Sequence, residues 1–147
     1  MRSSWESDKG CTAAAAMRRG MQYGWQKVFN SAKKGWKLSD LKANSKGVQD
    51  FGQGIHALQD AYAHKGTIMD DHSILNDRYG DTKEAERIST SAVNVHNLLT
   101  GDFDKIITGY DGNVSISFEG MTSSMREQVM TKIHNYINYR NKKEKEE

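Results

Sequence analysis

The sequence contains no proline and a single cysteine, Cys11. One cysteine excludes a disulfide framework within the chain and any zinc site built from several thiolates. Without proline, helix ends and turns fall to the 13 glycines and to Asn, Asp and Ser. No apolar run approaches the ~20 residues of a membrane-spanning helix. Met1-Arg2-Ser3-Ser4-Trp5 lacks the apolar core of a signal peptide. Excess charge is scarce as well: 21 basic against 19 acidic residues leave a formal +2. That balance does not by itself supply the basic footprint of a nucleic-acid binder.

What is present suits one compact domain. The chain has 147 residues, 36% apolar and 27% charged, enough for one modest core. Trp, Tyr and Phe are spread along it, unlike a disordered chain. Apolar residues recur at helical spacing in four stretches. The first runs from about residue 11 to Gly35, with Met17, Met21, Trp25, Val28 and Phe29 inward. The second covers about 45–63, with Val48, Phe51, Ile55, Leu58 and Tyr62 on its apolar face. The third covers about 82–99, with Ala85, Ile88, Ala92, Val95 and Leu99 inward and Gly101 closing it. The fourth covers about 122–142, with Met125, Val129, Ile133, Tyr136 and Ile137 inward. Residues 65–81 are a long loop rich in turn signals, and loops of that length are often functional. Asp111-Gly112-Asn113 is a turn, and Val114 to Phe118 alternates like a short strand. The expected fold is all-α: a single-domain helical bundle of four main helices, with a long metal-site loop and room for a minor β-turn or hairpin. Residues 1–10 and 143–147 are expected to be flexible ends.

The chemistry concentrates in Gly54-Ile55-His56-Ala57-Leu58-Gln59-Asp60-Ala61-Tyr62-Ala63-His64-Lys65-Gly66. His56, Asp60 and His64 recur every four residues. A four-residue step rotates a helix by only about 40°, so the three form a row along one face. Neutral imidazole and carboxylate are ligands of hydrolytic metal sites. A lone His on a helix is ordinarily structural or exposed. Three helix-unfavourable residues on one stripe carry a propensity cost that asks for a reason. His72, after Asp70-Asp71 in the long loop, is a candidate further ligand. His96 is another, if the third helix packs antiparallel on the second and brings it level with the row. The fifth histidine, His134, suits a surface position. Asp60 is a candidate bridging ligand or general base, and Asp71 a candidate base from the loop. Asp70, Asp77 and Asp81 are weaker candidates of the same kind, and each is also a common turn former. Gln59 is a candidate substrate contact. Trp5, Trp25 and Trp36 would serve as an apolar rim for a lipid substrate, or equally as core.

The segment His56-Ala57-Leu58-Gln59-Asp60-Ala61-Tyr62-Ala63-His64 resembles the signature helix of the zinc-dependent phospholipase C superfamily. It is most similar to the branch containing the fungal heterokaryon-incompatibility C proteins. That superfamily includes single-strand-specific nucleases, and similar helices occur in C-terminal toxin domains of bacterial polymorphic toxins. The resemblance implies zinc on His56, Asp60 and His64, with His72 similar to a later ligand. The carboxylate that usually follows one turn later is replaced by Asn76, beside Asp77. The enzymes of the superfamily have a longer interval between the Asp and the second His, and hold a third zinc through an N-terminal Trp. That role is not transferred to Trp5, so one or two zinc ions are expected. The resemblance further implies a zinc-dependent phosphodiesterase acting on phospholipid or nucleic acid. It would be a toxin or effector domain, secreted or delivered within a larger carrier chain and matched by a cognate immunity protein. The alternatives are a cytoplasmic protein, and a non-enzymatic helical binding module whose row is a structural metal site or plain polar packing.

Overall fold

The computed structural model describes residues 13–42, 44–63 and 82–146. Among them four α-helices carry the fold: α1 Ala13–Ala32, α2 Lys46–Ala63, α3 Thr82–Thr100 and α4 Ser123–Glu146. Short 3-10 turns at Lys33–Gly35, Leu38–Asp40 and Phe103–Lys105 punctuate the connections. The all-α single-domain bundle expected from the sequence is the fold observed.

The helix ends follow from local chemistry. Ser45 caps α2: its Oγ accepts from the Val48 amide at 3.1 Å. Thr122 does the same for α4 through the Met125 amide at 3.2 Å. Both satisfy amides that the first helical turn leaves without partners. At the end of α3, Asp102 N–H donates to Asn97 O and Gly101 N–H to Leu98 O. This is the paired closure that a left-handed Gly permits. α4 extends four residues past its expected end at Lys142, to Glu146. Arg140–Glu144 at i,i+4 and cations near the helix C-terminus favour that extension.

α1 and α2 pack antiparallel at unusually close range. A Cβ on Gly54 would stand 2.7 Å from Gly24 O and 2.9 Å from Val28 Cγ2. A Cβ on Gly24 would meet Leu58 Cγ at 2.8 Å. Only hydrogen fits at this crossing, so the two backbones touch there. α3 runs antiparallel to α2, since Gln59 bonds Ser89 while Phe51 meets His96 edge-on. The core lies among α1, α2 and α3, with α4 against α3. Met21, Trp25, Val28, Leu58, Ile88, Val95, Leu98 and Val129 are all at most 1% exposed.

Two expectations change here. Ile137, expected inward, is 46% exposed, whereas Tyr136 is buried. Met125, Val129 and Ile133 step by four, and each step drifts about 40° around the helix. A three-residue step to Tyr136 restores the inward face, and Ile137 is carried outward. The second change concerns residues 114–118. Among the described residues no strand forms, only one isolated bridge between Thr108 and Val114. The main chain of residues 105–117 pairs instead with a polar row on α3. Asn94 Nδ2 donates to Ile107 O and Ser115 O, both at 2.9 Å, and Asn94 Oδ1 accepts from Ile107 N at 2.7 Å. Ser91 Oγ accepts from Ser117 N at 2.8 Å, and Asn97 Nδ2 donates to Lys105 O at 3.2 Å. Buried side chains thus satisfy the main-chain groups that a second strand would otherwise pair. Trp25 adds a further tie, its indole N–H donating to Glu119 O at 2.8 Å. Gly120 follows at φ +84°, against Met21, where a Cβ would fall 2.4 Å from the Met21 Cβ.

Candidate metal-binding face of the second helix

α2 separates its faces cleanly. Leu58 is fully buried, Phe51 and Ile55 pack on the core, and His56 and Asp60 face outward. Their side chains are 68% and 37% exposed, and His56 Nε2 stands 3.2 Å from Asp60 Oδ2. The one-turn spacing places them together, because i and i+4 are neighbours on a helix surface. The same spacing suits two ligands of one metal. Zinc–ligand bonds of about 2.0–2.1 Å in a tetrahedron put adjacent ligand atoms roughly 3.3 Å apart. The residues present therefore fit two corners of a zinc polyhedron, and equally a plain imidazole–carboxylate pair.

His64, His72, Asp70, Asp71, Asp77 and Asp81 lie outside the described residues, as do Cys11, Trp5 and Gly66. Among the described residues no group of three or more His, Cys, Asp or Glu side chains converges. Gln59, expected to contact substrate, instead ties α2 to α3. Its Nε2 donates to Ser89 Oγ at 2.8 Å, and Ser89 in turn donates to Ala85 O at 2.8 Å.

His96 occupies a different place from the one anticipated. The antiparallel packing of α2 and α3 is present, but its register sets His96 opposite Phe51, before His56 in the helix, while Ser89 stands opposite Gln59. His96 is 0% exposed. The Ser31 hydroxyl donates to Gly47 O at 3.0 Å, so it accepts from His96 Nε2–H at 2.9 Å. That assigns the proton to Nε2 and leaves Nδ1 bare and without a partner among the described residues. Desolvation pushes the His96 pKa down from 6.5 to about 4, against a smaller upward pull from the Ser31 main chain. His96 is a neutral imidazole knitting α1, α2 and α3 together. Trp25, fully buried, belongs to the core rather than to an apolar rim, while Trp36 is 38% exposed. His134 is exposed on α4.

A second polar constellation has no counterpart among the sequence motifs. Tyr139 on α4 donates its hydroxyl to Asp104, and Lys143 Nζ reaches the same carboxylate oxygen at 3.3 Å. The Tyr139 hydroxyl bond and the Lys143 ammonium hold the Asp104 carboxyl below its ordinary range. The same contacts with Asp104 raise the Tyr139 phenol and the Lys143 ammonium. Every shift keeps each group in its ordinary charge state at neutral pH, as suits a surface clamp rather than a proton-transfer site. Its members are 35 and 39 residues apart in the chain, so no local spacing announces it. The Ser91–Asn94–Asn97 row did leave a signal. Three polar, poor helix formers recur every third residue among the buried apolar positions Ile88, Ala92, Val95 and Leu98.

Compared with known proteins, the chain matches no family model, no curated protein and no solved structure. No helix among the described residues is long and apolar enough to cross a membrane.

Proposed function

We propose that the outer face of α2 nucleates a zinc site and that the protein is a metal-dependent phosphodiesterase, delivered as a toxin or effector domain. The observation that carries this reading is the His56–Asp60 pair, solvent-facing and 3.2 Å apart, the separation expected of adjacent ligands on one zinc. His64, one turn further in the sequence, would be the third ligand, and His72 a fourth or a ligand of a second ion. Zinc held there would lower the pKa of a bound water and polarise a phosphoryl oxygen. Asp60 would hold metal and, with Asp71 as the other candidate, accept a proton. His56 would hold the same metal through the Nε2 that faces Asp60. The Gln59–Ser89 bond would fix the α2 face against α3, a supporting role. His96 is left out of the ligand set because Ser31 holds its Nε2 and the core seals it. The substrate is a phosphodiester of phospholipid or nucleic acid, and the near-neutral charge of +2 favours neither through long-range attraction.

The deciding experiment measures zinc in the purified full chain by elemental analysis. Hydrolysis of bis(p-nitrophenyl) phosphate, phospholipid vesicles and single-stranded DNA is followed in parallel. The expected result is about one or two zinc ions per chain, with metal and activity lost in His56→Ala and Asp60→Ala. Chelated protein should recover activity on adding zinc. If no zinc co-purifies, and excess zinc changes neither stability nor hydrolysis, the pair is an ordinary surface contact and the domain a binding module. The delivery reading has its own test. Expression should arrest bacterial growth, relieved by His56→Ala or by a cognate immunity protein; harmless expression in both cytoplasm and periplasm removes the toxin assignment.

A further inference from the structure

On the side of the bundle built by α4, away from the α2 face, a groove of about 560 Å³ lies between the 112–118 segment and the C-terminal half of α4. That volume falls within the range of small-molecule sites. Val114, Ile116 and Phe118 line it from the segment, and Ile133 and Ile137 from α4. Ile137 is 46% exposed there. A branched apolar side chain left in water beside a concave apolar wall is stabilised by any apolar occupant.

The groove also has a polar end, where Tyr136, Arg140, Asn141 and Asn113 approach with Glu144. Tyr136 is 6% exposed, and its hydroxyl has no hydrogen-bond partner among the described residues. Arg140 lies with its guanidinium carbon 5.9 Å from the Tyr136 ring centroid. Among the described residues its charge meets only Glu144, at 3.7 Å, and the two side chains are 42% and 67% exposed. At that distance and exposure the pair is weak, and the guanidinium's five donors are largely left for another acceptor. The ring beneath lowers the freedom of the guanidinium, which lines the groove.

The geometry points to a ligand site for an apolar anion: an aliphatic or aromatic body along Ile116, Phe118, Ile133 and Ile137, with its carboxylate on Arg140 and Tyr136. An uncharged apolar molecule would leave Arg140 and the Tyr136 hydroxyl without their acceptor. A small hydrophilic anion would gain nothing from the groove walls. Only the combination engages both ends. Glu144 is the competing anion, displaced outward as the ligand carboxylate enters.

The test is a titration of the isotope-labelled full chain, followed by amide and methyl chemical shifts. Separate arms use octanoate, octanol and acetate. Octanoate is expected to shift Ile116, Phe118, Ile133 and Ile137 saturably, and to bind at least about tenfold tighter than octanol, as a charge-assisted bond to Arg140 implies. Acetate should shift none of them. Arg140→Gln should bring octanoate down to the level of octanol, Arg140→Lys should keep part of the difference, and Glu144→Gln should tighten octanoate. Ile137→Glu, at an exposed position, should abolish octanoate binding without changing thermal unfolding. Shifts that do not saturate or that map elsewhere would overturn the assignment. So would equal affinity for octanoate and octanol, or octanoate binding unchanged in Arg140→Gln.

Discussion

His96 is the residue whose burial has the most measurable consequence. Its pKa is about 4 in the folded protein, against about 6.5 for an unperturbed imidazole. The folded state therefore binds fewer protons than the unfolded state between those two values, and stability falls as pH is lowered through that window. At neutral pH both states hold a neutral ring and nothing is lost. A tenfold change in proton affinity corresponds to about 1.4 kcal/mol, so the gap between the two states amounts to roughly 3 kcal/mol by pH 4. The window is diagnostic. Asp104 and Asp111, whose pKa values are lowered in the fold, act only as pH falls through their unfolded value of 3.8 and below. Urea denaturation at closely spaced pH values, with chelator present to remove metal effects, measures the slope. His96→Gln should be less stable at neutral pH, having lost the ring and its edge contact with Phe51, and should lack the loss between about pH 6.5 and 4.5. An NMR titration of the ring supplies the direct check. A His96 resonance titrating near 6.5 in the folded protein, or a pH slope identical in wild type and His96→Gln, would refute the reasoning.

Other consequences follow from the packing. Gly54→Ala should destabilise the fold by about 1–3 kcal/mol, because its Cβ is driven into backbone and Val28. Gly52→Ala, two residues earlier with nothing within 4 Å of the added carbon, should stabilise it by up to about 1 kcal/mol; thermal unfolding of the two variants decides. Asn94→Ala strips three hydrogen bonds from Ile107 and Ser115, a loss of about 2–4 kcal/mol, with faster hydrogen exchange at the Ile107 amide. Removing zinc with a chelator should lower the melting temperature of the wild type more than that of Asp60→Ala if α2 binds metal in the folded state alone.

Local patterns in the chain were sufficient for the helices and for the His56–Asp60 pair on α2. Helical periodicity is a one-dimensional signal, and the caps at Ser45 and Thr122 and the stop at Gly101 depend only on near neighbours. The adjacency of His56 and Asp60 belongs to the same class, since four residues of helix bring them together wherever the helix sits. Registers and long-range pairings belong to the tertiary structure. His96 and His56 look equivalent as histidines on amphipathic helices, yet one is sealed against Ser31 and the other is open. The difference arises from how α3 slides along α2, which no single-helix pattern encodes. The glycines at positions 24 and 54 look like helix weaknesses until two backbones meet there. Residues 114–118 alternate like a strand, and Asn94 and Ser91 decide otherwise by pairing with their main chain first. The Tyr136–Arg140 groove likewise exists only because a three-residue step on α4 turns Ile137 outward beside the 112–118 segment. Short-range geometry is written in spacing; which polar group is buried, and against what, is settled by packing.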